Sequence, residues 1–399
     1  MTRARSVIAL ALLCSLGALD ASCGRSRATH RVVARDTLYV GVAAARANLA
    51  YFRGVQLALD KLNAERPVGS PAFAIRLPAL IQTSQVAVAA AFRDDPSVIG
   101  VVGHTGSAQT MDAAPIYSDA VHDGKRAVVA ITPTATNPAV TRGSSWVFRV
   151  CPTDDDAARS LARFAIDSLH VHRVAILYRN DLFGRGFTRT IAPELDSARV
   201  EIAERDPYLA GITEYDAYAA RLARERIEAV VFAGGGVDAA DFIRALHDAS
   251  AHPAVLGSDD VGNILDGVRA IPPDARPGRG RHPTRKPQPT DDRELFRGVR
   301  FTSFFDAKHS GNADARLFAA AYLKHYGQAA TQQAALSYDA ATLIGRAALA
   351  VGGDRARIRD WVASVGVSAP AVQGVTGEIR FDEHGDAVGK PIVIGVITP

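Results

Sequence analysis

Two apolar runs limit what this chain can fold into. Val98-Ile-Gly-Val-Val-Gly103 passes into His104-Thr-Gly-Ser-Ala-Gln-Thr110, and Ala127-Val-Val-Ala-Ile131 passes into Thr132-Pro-Thr-Ala-Thr-Asn-Pro138. Continuous Val/Ile/Ala runs without polar alternation are the pattern of parallel strands covered on both faces. Ligands in open α/β sheets sit beyond the carboxyl ends of such strands. Two neighbouring ends rich in hydroxyls and small residues therefore read as a polar shelf for the charged end of a small molecule.

The rest of the chain repeats this alternation. Residues 37–42 read as a strand, 54–64 as an amphipathic helix with Val55, Leu59 and Leu62 on one face, 73–77 and 79–81 as extended, and 86–93 as a helix. The helix opened by Ser107 meets Pro115, which is expected to end or kink it, because proline lacks a donor and clashes with the preceding turn. Residues 146–150 read as a strand, and Thr153 as the cap of a helix whose first turn carries Asp154, Asp155 and Asp156. Consecutive carboxylates on one turn diverge, which favours this reading over a calcium or magnesium site. Strands at 173–178, 200–203, 229–232 and 254–256 then alternate with helices from Gly186, at 214–226 and at 239–249. The expected fold is α/β, with two doubly wound Rossmann-like lobes. Residues 301–305 read as extended, 313–326 and 334–351 as helices, and 377–381 with 392–397 as a closing hairpin turned by 382–386.

With 399 residues, 48% of them apolar and 22% charged, the chain is long enough for two ordinary cores. Its net charge is only +4, and much of the basic excess lies between 272 and 292, so no basic nucleic-acid face is indicated. That segment carries six prolines among Arg276, Arg279, Arg281, Arg285 and Lys286, and reads as an exposed, extended insertion. It suits anionic lipid headgroups or a partner protein on one reading, and solvent alone with no specific partner on the other. At the amino end, Arg3 and Arg5 precede an apolar stretch from Val7 to Leu19, too short for a membrane span and ordered like a secretory signal over 1–22. The following Leu19-Asp-Ala-Ser-Cys23 resembles a lipoprotein cleavage site, with Asp20 where that pattern usually has Leu; Cys23 would then carry the lipid. Ordinary cleavage, or none at all, with Cys23 unmodified, is the alternative. Of the three cysteines only Cys151 lies in the body of the chain, so no internal disulfide forms there.

Taken together, Gly41-Val-Ala, Asp94-Asp-Pro-Ser-Val-Ile-Gly-Val-Val-Gly-His104, Ala114-Pro-Ile-Tyr117, Thr132 to Pro138, Phe148-Arg149, Asp181-Leu-Phe-Gly-Arg-Gly186, Gly257-Ser-Asp-Asp260 and Gly377-Glu-Ile-Arg-Phe-Asp382 form a collinear set. This set resembles the periplasmic leucine/isoleucine/valine-binding proteins, the type I solute-binding proteins of ABC importers. The resemblance implies two lobes joined by a three-strand hinge, 37–150 plus 304–374 and 151–303 plus 375–398, closing on an amino acid or a related carboxylate or amide. It also implies an extracytoplasmic monomer that meets an importer permease, with no enzymatic activity, cofactor, metal or nucleic acid. By the same resemblance Ser107, Ala135 and Thr136 bind the ligand carboxylate and Asp259 its ammonium, with Asp260 beside it. Phe183 supplies a ring without the family's common hydroxyl. Gly235 stands where a ligand-contacting Tyr is expected, so the side-chain pocket is expected to differ. The first loop, 43–51, is several residues short.

Two rival classes are weighed beside this one. An enzyme is disfavoured because Val102-Gly-His-Thr-Gly-Ser107 lacks the Lys of a phosphate loop, Ser107 is not in Gly-x-Ser-x-Gly, and Gly234-Gly-Gly236 does not fit a dinucleotide fingerprint. His170-Val-His172 has no neighbour in sequence to complete a metal site. A sensor of the same fold stays open.

Overall fold

The computed structural model describes residues 37–78, 84–211, 213–264, 292–308 and 310–398. The expected signal segment, Cys23, residues 79–81 and the proline-rich insertion up to residue 291 lie outside them.

The chain begins as β1 (Thr37–Ala43), α1 (Leu49–Glu65), β2 (Ala72–Arg76), α2 (Gln85–Asp94), β3 (Val98–Gly103), α3 (Ser107–Tyr117), β4 (Ala130–Thr132), the short α4 (Ala139–Arg142) and β5 (Val147–Arg149). These five strands form one parallel sheet in the order β2-β1-β3-β4-β5. The apolar runs behave as their composition requires: every residue of β3 and β4 is buried. A second set follows: α5 (Asp154–Arg163), β6 (Arg173–Arg179), α6 (Leu182–Ser197), β7 (Glu201–Tyr208), α7 (Asp216–Glu225), β8 (Ala229–Ala233), α8 (Gly236–Asp248) and β9 (Ala254–Gly257). After the short α9 (Asp292–Leu295) come β10 (Arg300–Ser303), α10 (Ala313–Tyr326), α11 (Gln332–Val351), α12 (Arg355–Ser364), β11 (Val372–Gly374), β12 (Gly377–Ile379) and β13 (Val393–Val396).

The second sheet runs β7-β6-β8-β9-β10-β13, parallel except for the last pair. Its first five strands repeat the order of the first sheet. Each sheet therefore has a switch point, between β1 and β3 in one and between β6 and β8 in the other, where flanking connections leave in opposite directions and open a crevice. The chain passes between the sheets after β5, after β10 and again before β13.

Several boundaries differ from the sequence reading. The helix expected from Gly186 starts at Leu182, because Asp181 caps it by accepting the Gly184 N–H at 2.9 Å. Pro115 lies inside α3, which ends soon after it, at Tyr117. The closing hairpin is not formed. Gly377–Ile379 pairs with Val372–Gly374, and Val393–Val396 pairs antiparallel with Arg300–Ser303 instead. The helix α12 was not expected. Thr153 caps α5 as anticipated, accepting the Asp156 N–H at 3.1 Å. Among the described residues no helix is long and apolar enough to cross a membrane.

Candidate functional site

The carboxyl ends of the two sheets meet across a cavity of about 220 Å³. Loops after β1, β3 and β4 and the helix starts they lead into supply Asn48, Tyr51, Thr105, Ser107, Thr134 and Thr136; the side of the other sheet supplies Arg179, Phe183, Asp259 and Asp260, and α11 adds Gln333. A cleft of about 280 Å³ beside Asp156, Arg159 and Lys390 is larger. Only the first cavity lies at both switch points, which is where an open α/β sheet places its ligand.

The first wall is a hydrogen-bonded shelf. Thr132 Oγ1 donates to the His104 carbonyl (2.6 Å) and accepts the Ala135 N–H (3.0 Å), tying the loop after β4 to the loop after β3. Asn137 N–H donates to Ser107 Oγ at 3.2 Å, and Thr134 Oγ1 donates to the Thr105 carbonyl at 2.8 Å. Ser107 is the first residue inside α3, after the cap residue Gly106, so its hydroxyl and the orphan amides of the helix start lie on the cavity wall. Tyr51 shares a 3.0 Å hydrogen bond with Thr134 Oγ1.

Arg149 holds this shelf from behind. Fully buried, it donates from Nη1 to the carbonyls of Ala135 (3.1 Å) and Asn137 (2.7 Å) and pairs through Nη2 with Asp386. Thr141 Oγ1 donates to the same carboxylate oxygen at 2.5 Å. The thiol of Cys151 lies buried against the Ala135 carbonyl, and burial pushes its pKa far up, so it is a poor nucleophile.

The facing wall carries charge. Asp259 opens a short 3₁₀ turn, Asp259–Asn263, directly after β9 and is 6% exposed. Burial raises its pKa well above the ordinary carboxylate value, and the neighbouring carboxylates of Asp260 and Asp154 add to the shift. A ligand cation would relieve that cost. Gln333 Oε1, buried with no hydrogen-bond partner, is a second acceptor on a cavity-lining residue. Arg179, the last residue of β6, donates from Nε to Asp181 Oδ2 at 2.6 Å and lies over the Phe183 ring, 5.5 Å from its centroid.

Of the residues singled out in the sequence, Ser107, Thr136, Phe183, Asp259 and Asp260 line the cavity together. Ala135 and Gly235 do not. The N–H and carbonyl of Ala135 are both engaged, so it shapes the shelf from within. The glycines on either side of Gly235 are required by packing: a Cβ at Gly234 would lie 1.7 Å from the Tyr208 hydroxyl, and one at Gly236 2.8 Å from the Ile264 backbone nitrogen. Sequence reasoning missed Arg179, Tyr51, Asn48, Thr105, Thr134 and Gln333. Arg179 ends β6 and Tyr51 lies in the first turn of α1 after β1, two strands that flank a switch point, a signal that becomes readable only with the strand order in hand. Two contacts already bridge the walls, from Asn137 Nδ2 to the Leu182 carbonyl (3.1 Å) and from Gln332 Nε2 to the Asp259 carbonyl (2.8 Å). Among the described residues no group of His, Cys, Asp or Glu is placed to hold a metal ion.

A family model described as "Periplasmic binding protein" matches residues 41–397. The chain belongs to the periplasmic binding protein family. The family consists of extracytoplasmic binding proteins rather than enzymes. An "Amino acid binding protein" of Pseudomonas aeruginosa is 27% identical over 53% of the chain and 56% of its own length. A "Leu/Ile/Val-binding protein" of Citrobacter freundii is 26% identical over 53% and 57%. The chain thus spans little more than half the length of the curated relatives it matches. Among solved structures, the branched-chain amino acid transporter substrate-binding protein LivJ of Streptococcus pneumoniae, in complex with isoleucine, is similar with a TM-score of 0.76. It is 20% identical, with 91% of this chain and 96% of that one covered. A solute-binding protein of Rhodopseudomonas palustris in complex with benzoate reaches 0.71 at 16% identity, covering 91% and 93%. At these identities the likeness shows the type I periplasmic binding protein fold.

Proposed function

We propose that this member of the family captures an amino acid between two lobes, 37–150 plus 304–374 and 151–303 plus 375–398, and delivers it to an ABC importer. The observation that carries the reading is the polarity of the cavity. Hydroxyls and a helix amino terminus lie on one wall, and a buried carboxylate with little to compensate it lies on the other, a fit for a zwitterion. Ser107 and Thr136 take the carboxylate, Asp259 and Gln333 the ammonium, and Phe183 covers the ligand. Ligand contacts made from both walls favour the closed arrangement that a permease would recognise. The basic, apolar and small-residue order before Cys23 supports lipid anchoring through that residue.

Benzoate in a structural neighbour makes an aromatic acid the competing ligand class, and Asp259 separates the two. An aromatic acid has no ammonium to satisfy a buried carboxylate. Calorimetric titration of the mature protein, with whichever amino acid of a thermal-shift panel binds, should show Ser107→Ala and Asp259→Ala each weakening affinity by about tenfold or more. Unchanged affinity in both variants overturns the assignment. Benzoate binding that survives Asp259→Ala points to an aromatic acid instead.

A further inference from the structure

The space left by Gly235 is furnished with one donor and one acceptor. A Cβ built on Gly235 would lie 3.4 Å from Asp260 Oδ2 and 3.5 Å from Arg179 Nη1. Both residues line the cavity. Asp260 already accepts Asn263 Nδ2 at Oδ1 (3.1 Å), and Arg179 already donates to Asp181 from Nε, so each holds its second polar atom at this spot. Among the described residues no direct ion pair joins the two.

Aliphatic, anionic and cationic side chains each leave at least one of these groups unmatched, and a hydroxyl has a single oxygen to serve both. An aliphatic side chain excludes water and leaves both unpaired, which is the costly case for buried polar atoms. A carboxylate meets Arg179 but is repelled by Asp260, and a cation meets Asp260 but is repelled by Arg179. A carboxamide has a carbonyl oxygen to accept from Nη1 and an amino group to donate to Oδ2.

We propose that Arg179 and Asp260 form a carboxamide subsite, and that the ligand is an amino acid with an amide side chain, of the asparagine or glutamine kind. The inference rests on the zwitterion site proposed above. Phe183, beneath the guanidinium and on the cavity wall, gives the intervening methylenes an apolar surface.

The test is calorimetric titration of the mature protein with glutamine, asparagine, glutamate, threonine and leucine. The subsite predicts that one of the two amides binds tighter than leucine and glutamate by about tenfold or more, since a site built to hydrogen-bond discriminates strongly against analogues that cannot. Arg179→Met and Asp260→Ala should each collapse that ratio, and a ratio taken within one variant is insensitive to a general loss of stability. Leucine or glutamate binding as tightly as the amides overturns the carboxamide subsite and leaves the zwitterion clamp standing. Threonine binding tightest overturns it in favour of a hydroxyl. An amide preference that persists in both variants overturns the residue assignment. Failure of all five to bind overturns this inference together with the reading beneath it.

Discussion

Asp154 is the residue whose chemistry is most at odds with its place in the fold. It is fully buried at the first turn of α5, its N–H donates to the Thr136 carbonyl at 2.8 Å, and its carboxylate lies beside Thr136 and Asn137 with no ion-pair partner among the described residues. Burial, only partly offset by neighbouring polar groups and the Arg149 charge, pushes its pKa from the ordinary 3.8 up to about 7. Its native form therefore holds a proton that the unfolded chain has released, and the group costs the fold progressively more as pH rises from 3.8 through about 7. His104 acts in the opposite direction. Buried between Gln85 Oε1 (2.6 Å) and the Tyr117 hydroxyl (2.9 Å), it has its pKa lowered from 6.5 to about 4 by burial, so it destabilises the fold as pH falls through that window. Comparing Asp154→Asn with the parent at each pH cancels the histidine. The variant should gain melting temperature relative to the parent between pH 5 and pH 8, by roughly 3 °C or more. A difference that stays flat across that range in thermal denaturation would show that Asp154 is ionised in the native state throughout.

At the scale of elements, Arg149 connects the shelf to the end of the chain. Its backbone N–H donates to the Gly385 carbonyl (2.9 Å) and its carbonyl accepts from Ala387 N–H (3.1 Å), while its guanidinium pairs with Asp386 and supports two shelf carbonyls. Removing one partner of such a pair leaves the other charged and buried, so Arg149→Ala should cost about 3–5 kcal/mol in chemical denaturation. Adding Asp386→Ala should recover part of that loss. A cost under about 1 kcal/mol would mean that the pair does not hold the shelf.

Which elements could be read from sequence follows from the same physics. Buried parallel strands declare themselves through uninterrupted apolar runs, and Thr153 declares a cap, because both signals are local. Pairing of Gly377–Ile379 and Val393–Val396 was misread because both segments look extended, and only tertiary packing decides that β10 rather than β12 receives the last strand. Gly184 and Gly186 lowered the apparent helicity of the start of α6, where the Asp181 cap and packing prevail. Only part of one wall of the candidate site, Ser107 and Thr136, was readable as hydroxyls after strands. Arg179 was not, since an arginine at a strand end looks like an ordinary solvated residue until β6 is known to flank a switch point.

At the scale of the whole molecule, two copies of one sheet order face each other, and the cavity lies where both orders reverse. The contacts from Asn137 to Leu182 and from Gln332 to Asp259 hold the walls together without involving a ligand, so the closed arrangement has its own support and a ligand needs only to add to it. The proposed ligand lies in one orientation: carboxylate toward Ser107 at the start of α3, ammonium toward Asp259. A crystal structure of the mature protein grown with its tightest-binding amino acid tests this directly. The ligand carboxylate should lie within hydrogen-bond distance of Ser107 Oγ and Thr136, and the ammonium against Asp259. A ligand lying reversed, with its α-carboxylate on Arg179, or lying outside this cavity, would contradict it.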